Sequence, residues 1–230
     1  VNLIFGAKSP HPEHDVRFLA SMQRVRKKTR MWVMPRPWII PMDQPNAMAY
    51  GPGIPFLCAV GVSRELVDML NDDELDGVIA HEFAHIKCRD TGILAMISFI
   101  LGLIDKLRGL LSNKNALVTQ SPVTIVIGWV IYWIGRLAFA VSRFSISQER
   151  EIAADALSAY YNDDAKPLIS ALRKLHVWGL RNKKGDGEKP LFQDLMVAHP
   201  GMDERIASLE SLMQTETLLL TVQSNQQEST

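Results

Sequence analysis

Cysteine is nearly absent from this chain: Cys58 and Cys88 are the only two among 230 residues. No disulfide framework can hold such a fold, and both thiols are expected to be reduced, which suits a cytoplasmic setting. Net charge is lacking too. Lysines and arginines number 25 and are balanced by 25 aspartates and glutamates. Without a basic excess there is no electrostatic footprint for nucleic acid, which is not expected as a partner. The start of the chain lacks the basic-then-apolar pattern of a secretory signal, and no internal repeat is evident. A length of 230 residues allows one good core, or one core together with membrane segments.

What is present is His81-Glu82-Phe83-Ala84-His85, which spells H-E-x-x-H. On a helix, residues four apart are separated by about 40° around the axis, so His81 and His85 offer two imidazoles on one face. Glu82 lies about 60° from His85, within reach of a water on the metal without displacing either ligand. This is the pattern by which a helix binds zinc and keeps a general base beside it. The flanks predict that helix. Asn71-Asp72-Asp73-Glu74 offers an N-cap with a glutamate three residues on, a capping-box arrangement. Leu75, Val78, Ile79 and Ile86 recur at helical spacing, and Lys87 and Arg89 suit the negative end of the helix dipole.

A hydrolytic zinc site usually has three protein ligands and one open position. The route through a third histidine, H-E-x-x-H-x-x-G-x-x-H, is closed, because Cys88 and Thr91 occupy those positions. A glutamate from a later helix is the other route. Glu151 and Asp155 in Gln148-Glu-Arg-Glu-Ile-Ala-Ala-Asp155 are four apart and share a face. One can bind the metal while the other accepts a hydrogen bond from a ligand histidine. Glu149, His176 and His199 remain alternatives as ligands.

Asn46-Ala47-Met48-Ala49-Tyr50-Gly51, then His81–His85, then Glu151–Asp155, then His199-Pro200 with Arg205-Ile206 form an ordered set. In this set the chain resembles the HtpX-like and CAAX-prenyl-protease family of membrane zinc metallopeptidases, the gluzincins. The resemblance implies zinc as cofactor, His81, His85 and Glu151 as ligands, and Glu82 as catalytic base. It also implies that Asn46, Ala47, Met48 and Ala49 pair with an extended substrate. His199, with Arg205 and Asp155, would support the reacting carbonyl or the metal ligands. Met48 and Ile152 stand where the family more often has aromatic residues, which bears on substrate preference rather than on activity. Members often carry N-terminal membrane helices, and Val1–Phe5 reads as the end of one, so the chain is expected to be a fragment or processed form.

Between the two halves of the motif set lie two apolar stretches. Thr91–Ile104 is uncharged, and Pro122–Val141 has the length a bilayer needs with one charge, Arg136, near its end. Ligands on both sides of these stretches must meet at one ion, so any crossings must be even in number, which predicts a hairpin. The lysines and arginines flanking the hairpin outnumber Lys106, Arg108 and Lys114 between its arms, which places the site on the cytoplasmic side.

Elsewhere, a basic cluster (Arg24, Arg26, Lys27, Lys28 and Arg30) is expected on a helix, followed by a strand within Trp32–Pro41. Asn46–Gly51 and Ile54–Val62 read as two strands, and Ser63 as the cap of a short helix through Leu70. Helices are expected around Pro167–Trp178 and Met202–Met213, with a polar, frayed end over Thr215–Thr230.

The expectation is therefore an α+β, mainly α, zincin-like metallopeptidase domain with an inserted transmembrane hairpin. Residues 1–90 and 142–213 form the two parts of the domain, 91–141 the hairpin and 214–230 a flexible tail. The expected activity is zinc-dependent endopeptidase hydrolysis at a bacterial inner membrane. Polypeptides, unfolded or membrane proteins among them, and the lipid bilayer are the expected partners, and quality control of membrane proteins the expected role. The rivals are a CAAX-prenyl-type protease, a soluble periplasmic metallopeptidase, and a non-catalytic membrane interaction module whose zinc is structural. A retained Glu82 speaks against the last, since a structural site has no use for a base.

Overall fold

The structure is a computed structural model that describes residues 6–92, 102, 128–130, 132–135, 137, 148–182 and 201–227. Helix α1 (Val16–Lys28) precedes strand β1 (Arg36–Ile40), strand β2 (Ala47–Tyr50) and strand β3 (Ala59–Ser63). Helices α2 (Arg64–Met69), α3 (Asp72–Lys87), α4 (Gln148–Asn162), α5 (Lys166–Asn182) and α6 (Met202–Gln227) follow. The result is mainly helical α+β.

The sheet order is β1–β3–β2, with β3 parallel to β1 and antiparallel to β2. All five residues of β3 are buried, as expected of an uncharged central strand. Gly61 makes room there for Ile40, whose Cδ1 would sit 2.7 Å from a Cβ and would have to shift. The last strand begins later than the apolar run suggested. Ile54–Cys58 forms a 3-10 turn over Pro55–Leu57 instead, because Pro55 has no N–H for a ladder and its fixed φ suits a turn. On the far side of the sheet β2 has no further strand among the described residues, so its outer edge is open.

Helix α3 is the centre of the molecule. Its N-terminus carries the full capping box: Asn71 accepts from Glu74 N at 2.8 Å, and Glu74 accepts from Asn71 N at 2.8 Å. Ser63 caps α2 in the same way through Leu66 N at 3.2 Å. Around α3 pack Phe18, Met22 and Val25 of α1, Leu168 and Leu172 of α5, and Val60 and Val62 of β3. Gly77 permits the close approach of α5: a Cβ there would lie 3.2 Å from the Leu168 backbone. Its carbonyl accepts from Ser158 Oγ of α4 at 2.7 Å. Part of the basic cluster is turned inward, since Arg24 of α1 makes a two-pronged bond to the buried Asp76 at 2.7 and 2.8 Å.

The last helix is longer than the expected Met202–Met213. Helix α6 continues to Gln227. No glycine or proline lies between Met202 and Thr230 to stop it. The hydroxyls of Thr215 and Thr217 bond back to Ser211 O and Met213 O and stay within the helix. Most of the expected hairpin, 91–141, lies outside the described residues. Among the described residues no helix is long and apolar enough to cross a membrane.

Candidate metal centre

His81 and His85 project from consecutive turns of α3, with rings 4.6 Å apart at 89°. Their Nε2 atoms converge to 3.0 Å. Opposite them, Glu151 of α4 places Oε2 3.4 Å from His81 Nε2 and Oε1 3.4 Å from His85 Nε2. The three donor atoms lie within 4.8 Å of one another, and all three residues are shielded from solvent. Two nitrogens each about 2.0–2.1 Å from a tetrahedral zinc stand about 3.3 Å apart, so the observed spacing needs only a small adjustment.

The outward nitrogens are held as well. His81 Nδ1 is 2.8 Å from Asp155 Oδ1, and His85 Nδ1 is 3.0 Å from Asp90 Oδ2. Carboxylates in these positions fix ring orientation and keep Nε2 free as the donor to a metal. Arg205 of α6, only 2% exposed, grips Asp155 with Nε and Nη2, both at 2.7 Å. Its Nη1 lies 3.0 Å from Glu151 Oε2. On the other flank, Arg150 Nη1 lies 3.3 Å from Asp90 Oδ1.

Charge explains the titration of these groups. Among the described residues, Arg150 pairs with Asp90, and Arg205 pairs with Glu151 and Asp155, with Glu82 a fourth carboxylate nearby. A divalent cation would close that deficit. The same carboxylates favour the charged form of both imidazoles. Burial opposes charge on His85, yet Asp90 and Glu151 outweigh it and hold the pKa up at about 10. Burial likewise opposes charge on His81, but Asp155 and Glu151 raise it. Burial would raise the Asp155 carboxyl, while Arg205 and His81 hold it below the usual carboxylate range. A buried two-nitrogen, one-oxygen donor set with an excess of negative charge fits zinc.

Beside this cluster opens a cavity of about 640 Å³. Glu82, His81 and Arg205 line it together with Asn46 and Ala47, where β2 begins. The start of β2 therefore opens on the same cavity as Glu82 and His81.

A sequence model described as peptidase family M48 matches residues 20–213. Among curated relatives, a "Protease HtpX homolog" of Salinibacter ruber is 32% identical over 90% of this chain and 76% of its own length. That of Acidiphilium cryptum is 29% identical over 92% of this chain and 79% of its own. That of Thermoanaerobacter pseudethanolicus is 32% identical over 77% of this chain but only 66% of its own length. The chain belongs to peptidase family M48. It is a zinc metallopeptidase, a hydrolase of peptide bonds.

Of the M48 residues singled out in the sequence, the structure brings together His81, Glu82, His85, Glu151, Asp155 and Arg205. Asn46 is engaged through its backbone with Ser63, at 2.9 Å in both directions. Its Nδ2 lies 3.9 Å from Met42 Sδ. Met48 and Ala49 continue β2, paired with Gly61 and Val60. His199 lies outside the described residues. Glu149 is exposed and His176 pairs with Asp203 at 3.2 Å, so neither joins the donor cluster. Both cysteines are free.

Sequence reasoning missed Asp90 and Arg150. Asp90 reaches back to His85 because α3 stops at Cys88 and Arg89 adopts a left-handed φ of 62°. That reversal at a non-glycine residue has no local signature. Arg150, directly before Glu151, was visible only as part of a charged run.

Proposed function

We propose that this M48 metallopeptidase is a membrane endopeptidase that cleaves extended, unfolded segments of polypeptides, membrane proteins among them, and serves their quality control. The observation that carries the reading is the placement of Glu82 beside the His81–His85–Glu151 cluster, in a cavity that also reaches Asn46 and Ala47 at the start of β2.

Zinc held by these three residues would polarise a scissile carbonyl and lower the pKa of a water. His81 and His85 would present their Nε2 atoms to it, oriented by Asp155 and Asp90, and Glu151 would supply the third donor. Glu82 takes the proton from the attacking water and passes it to the departing amine. The backbone of Ala47–Ala49 pairs with an extended substrate by main-chain hydrogen bonds, which make little demand on substrate side chains. Asn46 steadies that backbone at the start of the edge, and His199 donates to the carbonyl oxygen as charge develops. Arg205 stays with Asp155 and Glu151, keeping the ligand helix α4 in register with α3. The exposed Trp129, Tyr132, Trp133 and Leu137 support a bilayer-embedded 91–141 segment, since such side chains suit lipid and its interface.

Replacing Glu82 by glutamine tests the mechanism. Metal analysis should show unchanged zinc, while hydrolysis of an unfolded casein-like substrate falls about a hundred- to ten-thousand-fold. Near-normal turnover with zinc in place would exclude Glu82 as the base.

A further inference from the structure

No charged residue stands between Asp43 and Arg64, yet part of this segment faces outward. Between β2 and β3, Pro52, Ile54, Phe56 and Leu57 are exposed, Phe56 by 53%. The turn is built by backbone geometry and its own hydrogen bonds. Gly51 and Gly53 take φ of 133° and 76°, and Leu57 N and Cys58 N both donate to Ile54 O, at 2.9 and 3.1 Å. A fixed turn that holds three large apolar side chains in water is the kind of patch that marks an interaction surface.

Its surroundings indicate the partner. The turn sits on the C-terminal end of α3: a Cβ on Gly53 would lie 3.3 Å from Arg89 Cβ and 3.4 Å from Gly92 Cα. Thr91–Ile104, the uncharged stretch, starts at this point. At the same end Lys87 Nζ bonds Thr29 O at 2.8 Å, which brings in the exposed Arg30 and, two residues on, Trp32, 84% exposed. The segment after Trp32 returns to the turn through Arg36 N and Cys58 O at 3.0 Å. Arg89 and Arg30 are exposed, Lys87 Nζ also lies 4.8 Å over the Tyr161 ring, and the nearby Asp90 is held by His85 and Arg150. The surface is thus an apolar turn and a tryptophan among cations, a composition matched to acyl chains beneath anionic headgroups.

We infer that Pro52–Leu57, together with Trp32, docks onto a lipid bilayer with anionic headgroups. Ile54, Phe56 and Leu57 insert at the interface, and Arg30 and Arg89 stand at phosphate level. The inference rests on the membrane reading above and adds a location to it. Because Tyr50 leads directly into the turn, the open edge of β2 starts at the bilayer surface. A polypeptide leaving the lipid meets that edge within one strand length, about 13 Å for four residues.

The full chain carrying F56W, in vesicles containing brominated lipid, tests this against the unaltered chain, whose five tryptophans set the background. Extra fluorescence quenched by bromine near the headgroup end of the acyl chains, more strongly with anionic than with zwitterionic lipid, is the expected result. A triple variant, Ile54→Ser, Phe56→Ser and Leu57→Ser, should keep its zinc and its rate on soluble unfolded substrate. Its cleavage of a bilayer-tethered substrate should fall about tenfold, because interfacial binding scales with buried apolar area. If the chain floats with vesicles but the F56W signal is not quenched, the turn faces water or a protein, and the inference falls while the membrane reading stands. Equal quenching in both lipids would overturn the anionic preference. A chain that does not float with vesicles would overturn both readings.

Discussion

Arg205→Met is the sharpest test of how the metal centre is held. The guanidinium is 2% exposed and meets Asp155 through two bonds of 2.7 Å and Glu151 at 3.0 Å. Methionine fills much of the same volume but leaves two buried carboxylates without their cation. Breaking a buried pair from one side costs about 3–5 kcal/mol, a large part of the roughly 5–15 kcal/mol that holds a domain together. At about 2–4 °C per kcal/mol for a chain of this size, the metal-free variant should melt about 6–20 °C below the unaltered protein. Scanning calorimetry on both proteins reads this directly. Asp155→Leu removes the other half of the pair, so the double variant should cost less than the two single changes summed, with a coupling of about 0.5–3 kcal/mol. A melting temperature for Arg205→Met within about 2 °C of the parent, or strictly additive costs, would refute the reasoning.

The raised pKa values of both imidazoles should make the metal-free protein sensitive to base. His85 is raised to about 10, and His81 is raised as well. Their contribution to stability is complete below the unfolded histidine value of about 6.5 and is lost as pH rises through the folded value. The melting temperature of chelator-treated protein should therefore fall between neutral pH and about pH 10 while the zinc form changes little, and a flat metal-free profile would contradict this. Zinc loading at neutral pH should release protons, measurable by titration calorimetry in buffers of different ionisation enthalpy. Asp90→Asn should keep the fold but weaken zinc binding about 10–100-fold, read by competition with a chelating dye; unchanged affinity would leave His85 without need of its partner. Gly77→Val should destabilise by about 1–3 kcal/mol in denaturant unfolding, since α5 approaches too closely for a branched side chain, and a neutral result would mean that α5 can retreat.

Much of the site was legible because its signals are local. H-E-x-x-H, the Asn71–Glu74 cap and the Glu151–Asp155 spacing each depend on helical periodicity alone, and all three stand in the structure as helical features. Ser63 capping α2 was readable for the same reason. What was not readable depends on chain reversals and on sheet order. Nothing in the apolar run Ile54–Val62 indicates that Pro55 turns the first half outward while the second half enters the sheet between β1 and β2. The return of Asp90 to His85 needs Arg89 in a left-handed conformation, which composition does not announce. Arg205 could be placed near the site by resemblance, but its grip on both carboxylates of α4 is a fact of packing between α4 and α6.

The donor atoms come from two helices that touch in space but lie on either side of the long segment between α3 and α4. A zinc ion there closes a loop, as a disulfide would in a chain that had cysteines to spare. For a loop of several tens of residues, the entropy removed from the unfolded chain corresponds to about 4 kcal/mol. The same relation runs in the other direction. Closure entropy grows only with the logarithm of loop length, so doubling the inserted segment would cost about 0.6 kcal/mol. A peptidase whose ligands are divided in this way can accept a long apolar insertion between them, or exchange one insertion for another, at little cost to the stability of its catalytic half.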